Sequence, residues 1–283
     1  MLASKISGVH FRLHTFTGQV WQTRTGLMRK LLIATDRLTG ACASMVLADS
    51  HGQLELLTQS GIVDPARAGV LGQGSICGVD PLRFMANPLA RSDMRSKLGI
   101  SEDTIVLLYM ARFTIDKGAI AMADAFGRLG IESSVPVHLL MVGPDEENLT
   151  EQIKKKLAGV IGKYSLINYT DTPECYFQCC DIFCLPSYRE GFPMVLLNAA
   201  ACSLPVVASR IYGCSDAVID GETGYLFEAG NIDEFCEQLK ELAASAPLRQ
   251  RVGAAARRRV EEFFAEEKVN TLLMQVYDKK VLS

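Results

Sequence analysis

The chain has no apolar run approaching the roughly 18 residues of a membrane-spanning helix. Its start, Met1-Leu-Ala-Ser-Lys-Ile-Ser-Gly-Val9, lacks the apolar core of a secretory signal. Both absences lead to the expectation of a cytoplasmic protein. An excess of charge is missing too. The formal net charge is −3, which leaves no basic footprint for a nucleic acid, and no such partner is expected. Nine cysteines are an odd number, which excludes a fully paired disulfide framework and points to free thiols in a reducing compartment. Cys175, Cys179, Cys180 and Cys184 cluster, but they form no two Cys-x-x-Cys pairs and have no histidine near them in sequence. Packing is the expected role, since free cysteine behaves as a small hydrophobe. No Asp-x-Asp is present to hold a metal. The dinucleotide fingerprint G-x-G-x-x-G is absent as well. Gly72-Gln-Gly74-Ser-Ile-Cys-Gly78 has one residue too many and no long helix directly after it, so it reads as an interdomain linker with turns. There is no repeat and no low-complexity tract.

What is present is an ordinary globular composition, 48% hydrophobic and 22% charged over 283 residues, enough for one large or two ordinary domains. The pattern alternates. Residues 9–17 read as a strand, 27–43 as a helix, 45–49 as a strand, 51–59 as a helix and 67–72 as a strand. A second series starts at the continuous apolar stretch 104–111, of the kind buried on both faces of a parallel sheet. It continues with helix 118–129, strand 137–142, helix 147–157, strand 165–169, helix 173–179 and strand 182–185. A helix opening at Pro193, strand 206–209 and helix 232–245 complete it, and residues 247–281 read as helical. The second series makes a complete doubly wound unit, whereas the first has only about three strands. The run Arg257-Arg-Arg259 reads as a solvated helix face.

Four features of the second series carry chemistry. Ala111-Arg112-Phe-Thr-Ile-Asp-Lys117-Gly118 puts two cations in the loop after its first strand, where arginine offers a fork for phosphate oxygens and lysine a point charge. Surface cations at this spacing are common, so the pair alone does not define a site. Ser187-Tyr-Arg-Glu190-Gly-Phe-Pro193 leads from a strand into a helix, whose first-turn N–H groups and dipole favour an anion. Gly213-Cys-Ser-Asp216 and Asp220-Gly-Glu-Thr-Gly224 follow.

Together and in this order, these stretches resemble the retaining glycosyltransferases of family 4, which have the GT-B fold. The matching residues are 111–118, Val142-Gly143, 181–187, 188–193, Leu204-Pro-Val-Val-Ala-Ser-Arg-Ile-Tyr-Gly213 and 220–224. His14-Thr-Phe-Thr-Gly18 and residues 74–80 are similar to the earlier half of such enzymes. The closest likeness is to the capsular-polysaccharide and lipid-linked-oligosaccharide type. The resemblance implies an α/β, GT-B type fold: a partial N-terminal, acceptor-side Rossmann-like domain over 1–80, a complete nucleotide-sugar-binding domain over 81–262, and a C-terminal helix over 263–283 packing back on the first part. It implies a hexosyltransferase using a nucleotide-sugar donor, usually a UDP-sugar, and a glycan or polyprenyl-diphosphate-linked acceptor at the inner face of the cell membrane. No cofactor or metal is implied.

Carried onto this sequence, the resemblance assigns Glu190, Arg112 and Lys117 to catalysis. Arg112, Lys117, Phe192, Met194, Val195 and Asn198 are assigned to donor binding. Arg112, Lys117 and the N–H groups near Met194 and Val195 would stabilise the leaving diphosphate, and Glu190 would lie near the sugar hydroxyls. Pro193 is expected at the first helical position, which suits its fixed φ.

The chain departs from the family in places. Asn198 stands where a second glutamate accepts from the ribose, with one carbonyl acceptor and no charge, which is expected to weaken nucleotide binding by ~1–3 kcal/mol. Ser203 replaces a glycine. Some 80–100 residues of the family's first half, with its glycine-rich loop, have no counterpart. The family's first-domain histidine aligns with Thr17, leaving His14 either structural or facing the cleft. Arg24, Arg29, Lys30 and Arg37 form either a solvated helix face or a contact with anionic lipid headgroups. Three readings remain open: a transferase, a donor-binding remnant without activity, and another GT-B enzyme such as a sugar-nucleotide epimerase.

Overall fold

The computed structural model describes residues 1–160 and 163–281. The chain opens with helix α1 (Leu2–Ile6), strand β1 (Leu13–Phe16), helix α2 (Gly26–Cys42), β2 (Met45–Ala48), α3 (His51–Gln59) and β3 (Ala68–Val70). These strands form a parallel sheet in the order β1-β2-β3. There follow α4 (Pro88–Leu98), β4 (Ile105–Met110), α5 (Ala119–Glu132), β5 (Val137–Val142), α6 (Thr150–Leu157), β6 (Lys163–Ile167), α7 (Pro173–Cys179), β7 (Ile182–Leu185), α8 (Met194–Ala201), β8 (Val206–Ser209), α9 (Cys214–Ala217) and β9 (Tyr225–Phe227). Helices α10 (Ile232–Ala244), α11 (Ala246–Arg259) and α12 (Glu266–Val281) close the chain. The second sheet is parallel, in the order β6-β5-β4-β7-β8-β9. Chain direction across this sheet reverses between β4 and β7. The two loops leaving those strands at their carboxyl ends flank the crevice where such sheets bind ligands.

The continuous apolar strands have a structural reason. Val106 and Leu108 of β4 face a core shared with Leu196 and Leu197 of α8. Leu107 and Tyr109 face another, shared with Met122 and Phe126 of α5. A strand covered on both faces loses the polar alternation of a half-exposed one. The clustered cysteines behave as hydrophobes: Cys179 and Cys180 lie in the first of these cores and Cys184 in the second. Helix α12 returns to the first sheet, where Val269 packs with Leu47 and Leu71, and Tyr277 meets Phe11 edge-on.

The structure corrects several sequence expectations. Strand 9–17 shortens to Leu13–Phe16, because Arg12 folds back to donate to the Cys42 and His10 carbonyls, and Ser44 Oγ bonds His10 O. The helical tail is interrupted. A π-helical turn spans Val260–Phe264, and Ala265, with ψ 136°, separates α11 from α12. The arginine run is not a solvated face. Arg257 donates to the Pro81, Phe84 and Ala201 carbonyls, and Arg259 donates to Asp216 O while its guanidinium lies over Phe263 and Phe264. Only Arg258 of the three is exposed. Helix α4 and strand β9 were not anticipated. The signals for α4 were present: Asn87 caps it through its side chain, Pro88 follows at the first position, and Gly99 ends it in the left-handed conformation.

Helix α4 is fastened by a wholly buried arginine. Arg95 donates to the Cys179, Ser101 and Thr104 carbonyls and pairs with Asp181 Oδ2 at 3.3 Å. Asp181 also receives Arg91 at 2.7 Å and the N–H of Val106, so one carboxylate ties α4 to the foot of β4. Removing one partner of a buried charge network strands the other. Arg95→Met is therefore expected to cost about 3 kcal/mol or more, read as a lowered urea midpoint with the same slope; an unchanged midpoint would remove Arg95 from the framework.

Candidate functional site

Two loops meet at the reversal of the second sheet. The first runs from β4 to α5 and the second from β7 to α8. The first is closed on itself by Tyr109, whose hydroxyl lies 3.0 Å from Arg112 O and 3.2 Å from Lys117 O. Burial pushes this phenol well above its ordinary range, so it stays a protonated donor. The second loop is fastened to the first. Tyr188 N–H donates to Asp116 O at 2.8 Å, and Arg189 Nη2 meets Asp116 Oδ2 at 2.6 Å. Burial raises the Asp116 carboxyl, but hydrogen bonds from the Thr114 hydroxyl and Arg189 outweigh it and hold the group below the usual carboxylate range. Gly118 starts α5 at φ +73°, and a Cβ there would run into Pro186 O. Glycine alone suits both the backbone angle and the approach.

Within this frame, Lys117 Nζ lies 2.7 Å from Glu190 Oε2, with side chains 17% and 10% exposed. Two residues picked from sequence on separate loops are thus in direct contact, and Lys117 also reaches Arg189 O at 3.4 Å. Arg112 stands elsewhere. Its guanidinium pairs with Glu146 at 2.7 Å, both about half exposed. It borders a cavity of about 500 Å³ that also receives Arg24, Asp116, Tyr188 and Arg189. Arg24 comes from the first unit, so arginines from both units converge there.

Helix α8 begins one residue later than expected. Pro193 is its N-cap, with ψ 102°, rather than its first helical residue. The first-turn N–H groups of Met194 and Val195 have no intrahelical acceptor. Met194 Sδ accepts from Ser75 Oγ at 3.2 Å, and Asn198 lies partly buried farther along the helix. The Phe192 ring is not turned to the crevice. It is 8% exposed, packs on Phe264 at 5.6 Å, and covers Gly74. What Phe192 turns toward the Asp49 carboxylate is its backbone N–H.

The remaining sequence features have structural duties. Asp216 Oδ2 accepts the N–H of Gly52 at 3.1 Å and of Gly213 at 3.3 Å, joining the start of α3 to α9. The turn 220–224 leads into β9: Thr223 Oγ1 accepts Ile219 N–H, and Arg210 clasps Asp220. His14 stacks edge-on against Phe16 at 4.5 Å, and burial lowers its pKa. The early cations divide: Arg29 lies over Trp21, Arg37 donates to Ser60 O, and Arg24 lines the cavity. Sequence reading missed Asp116, Arg189 and Tyr109. The first two adjoin chosen residues, but nothing in the string says that they pair.

The profile described as Glycosyl transferases group 1 matches residues 90–259. The chain belongs to this family. It is 26% identical over 278 residues to the capsular polysaccharide biosynthesis glycosyltransferase CapM of Staphylococcus aureus, covering 98% of this chain and 72% of CapM. It is 28% identical over 186 residues to N-acetyl-alpha-D-glucosaminyl L-malate synthase of Bacillus anthracis, covering 66% of this chain and 48% of that protein. The chain spans about half the length of this and several other curated relatives it matches. In structure it is similar to Anabaena HepE in complex with UDP-glucose, with a TM-score of 0.86 and 18% identity over 98% of this chain and 74% of HepE. It is also similar to sucrose-phosphate synthase of Thermosynechococcus elongatus, with a TM-score of 0.81 and 21% identity over 94% of this chain and 67% of that one. The fold is of the GT-B type.

The joint between the loops is open to a direct check. Gly118→Ala adds a collision and a strained φ together, and is expected to lower stability by about 2 kcal/mol or more. Thermal unfolding measures this, and a neutral outcome would mean that the two loops are free to separate.

Proposed function

We propose that this chain transfers a hexose, with retention, from a UDP-sugar to a glycan or polyprenyl-diphosphate-linked acceptor, as a family 4 glycosyltransferase of surface-polysaccharide synthesis. The observation that carries the reading is the Lys117–Glu190 contact at the carboxyl edge of the reversing sheet. As the glycosidic bond breaks, negative charge gathers on the departing diphosphate. Lys117 exchanges Glu190 for that diphosphate, and Glu190, released, accepts from the sugar hydroxyls. The N–H groups of Met194 and Val195 add donors that need no reorganisation, each worth on the order of 3 kcal/mol at a developing anion. Arg112 and Arg189 contribute from the adjoining cavity, and Asn198 meets the ribose. The capsular polysaccharide made with CapM and the UDP-glucose bound by HepE support the acceptor and donor classes respectively.

Acceptor delivery at the inner face of the membrane fits α2. Leu27, Met28 and Leu31 stand 82%, 56% and 60% exposed, beside the exposed cations Arg24 and Lys30. Apolar side chains next to cations suit a helix lying at an anionic bilayer surface. Among the described residues no helix is long and apolar enough to cross the membrane.

A second reading is a donor-binding remnant without turnover. Asn198 at the ribose position favours it. Incubation with UDP-glucose and other UDP-hexoses, with and without lipid-linked acceptor, separates the two by UDP release. Turnover supports transfer, binding without turnover supports the remnant, and no nucleotide binding overturns the phosphate site.

The residue roles differ in weight. Lys117→Met is expected to weaken UDP binding by about tenfold to a hundredfold, the loss of a charged hydrogen bond. Arg112→Ala should cost less, because an exposed arginine shared with Glu146 is well screened. Asn198→Glu should tighten binding. Calorimetric titration with UDP gives all three, and equal losses in the two cation variants would contradict the division of labour.

A further inference from the structure

Asp49 follows β2 in the first unit and is 3% exposed. Its backbone is held on its own side: its N–H donates to Gln53 Oε1 at 2.9 Å, and its carbonyl accepts from Ser75 N–H at 2.7 Å. Its carboxylate reaches across to the other unit. There it lies against the backbone of Gly191 and Phe192, and the Phe192 N–H favours its charged form. A Cβ on Gly191 would stand 2.6 Å from Asp49 Oδ2 and closer still to Thr17 O, and a Cβ on Gly18 would lie 3.4 Å from Gly191 Cα. Asp49 Oδ1 is buried without a hydrogen-bond partner. Residues 191 and 192 are thus seated on the first unit, and the residue before them is Glu190.

We propose that Asp49 is a positioning residue for the donor site: by holding the Phe192 N–H when the two units are in contact, it sets where Glu190 stands. The proposal rests on the reading of Glu190 as the residue that meets the donor sugar. The groups facing Asp49 are Glu190, paired with Lys117; Asp216, which accepts from Gly52; the buried hydroxyl of Tyr212; and, farther out, Arg189, paired with Asp116. Burial first, and then the charges of Asp216 and Glu190, push the Asp49 carboxyl up to about 7. Separation of the units would return it to its ordinary value of 3.8. Contact between the units therefore takes up a proton. It is favoured in acid, weakens as pH rises from about 4 to about 7, and levels off above that.

The test is amide hydrogen exchange over residues 190–192 of the whole chain between pH 5 and 8, corrected for intrinsic rates. Wild-type protection is expected to fall towards pH 7 and then level. Asp49→Asn keeps a carbonyl acceptor but no charge, so it should remain protected with no such fall. Asp49→Ala should exchange about tenfold faster or more, as befits loss of a buried hydrogen bond. Protection in the alanine variant equal to wild type overturns the proposal, as does one and the same pH dependence in wild type and the asparagine variant. The second comparison stands even if the alanine variant does not fold. With UDP-glucose, Asp49→Ala should slow UDP release more than it weakens binding, and Asp49→Asn should restore the rate. If wild type neither binds nor turns over UDP-glucose, the transferase reading fails, while the exchange comparison still judges Asp49.

Discussion

The contact between Lys117 and Glu190 sits where the second sheet reverses direction, and most of the surrounding structure serves to hold it. An ion pair this little exposed has lost much of its hydration. It survives only where the flanking backbone is satisfied and the geometry is held. Both conditions are met. Tyr109 closes the first loop, the Asp116–Arg189 pair and the Tyr188 N–H stitch it to the second, and Gly118 lets the two backbones touch. Each charge is the other's partner.

The loops can be held only because the strands beneath them do not move. β4 and β7 are adjacent and covered on both faces, one by α8 and the other by α5. At the opposite end Arg95 and Arg91 converge on Asp181, which also receives the N–H of Val106 in β4. The carboxyl edge carries the paired charges of the loops, and the amino edge is locked by a buried network. The apolar layers between them set the spacing.

The two units meet through backbone as much as side chain. Gly18 lies against Gly191, Gly52 against Tyr212, and Gly74 under Phe192. Small residues permit this approach, and it buries Asp49 close to Glu190 and the partly buried Asp216. Burial and the neighbouring charges raise the Asp49 carboxyl above its ordinary range.

Much of the fold was legible in the string. Period and length located β5, α7 and β7 to the residue, because a strand buried on both faces and a helix opened by proline leave strong local marks. The family, and with it the choice of Arg112, Lys117 and Glu190, followed from residues that are contiguous in sequence. Less legible was anything resting on contacts between distant residues. Arg112 and Lys117 lie on one loop, yet one pairs with Glu146 at a cavity rim and the other with Glu190 in the crevice. Phe192 belongs to a motif, yet its ring packs on Phe264 and over Gly74 instead of opening to the crevice. Arg257 and Arg259 look solvated in a run of three, yet carbonyls of distant loops draw them inward. Asp49 carries no local mark at all. Local order, and the residue types the chemistry requires, come from neighbours along the chain. Partnership and burial come from chain crossings, which bring together groups 34 to 176 positions apart and set which charges meet water and which meet each other.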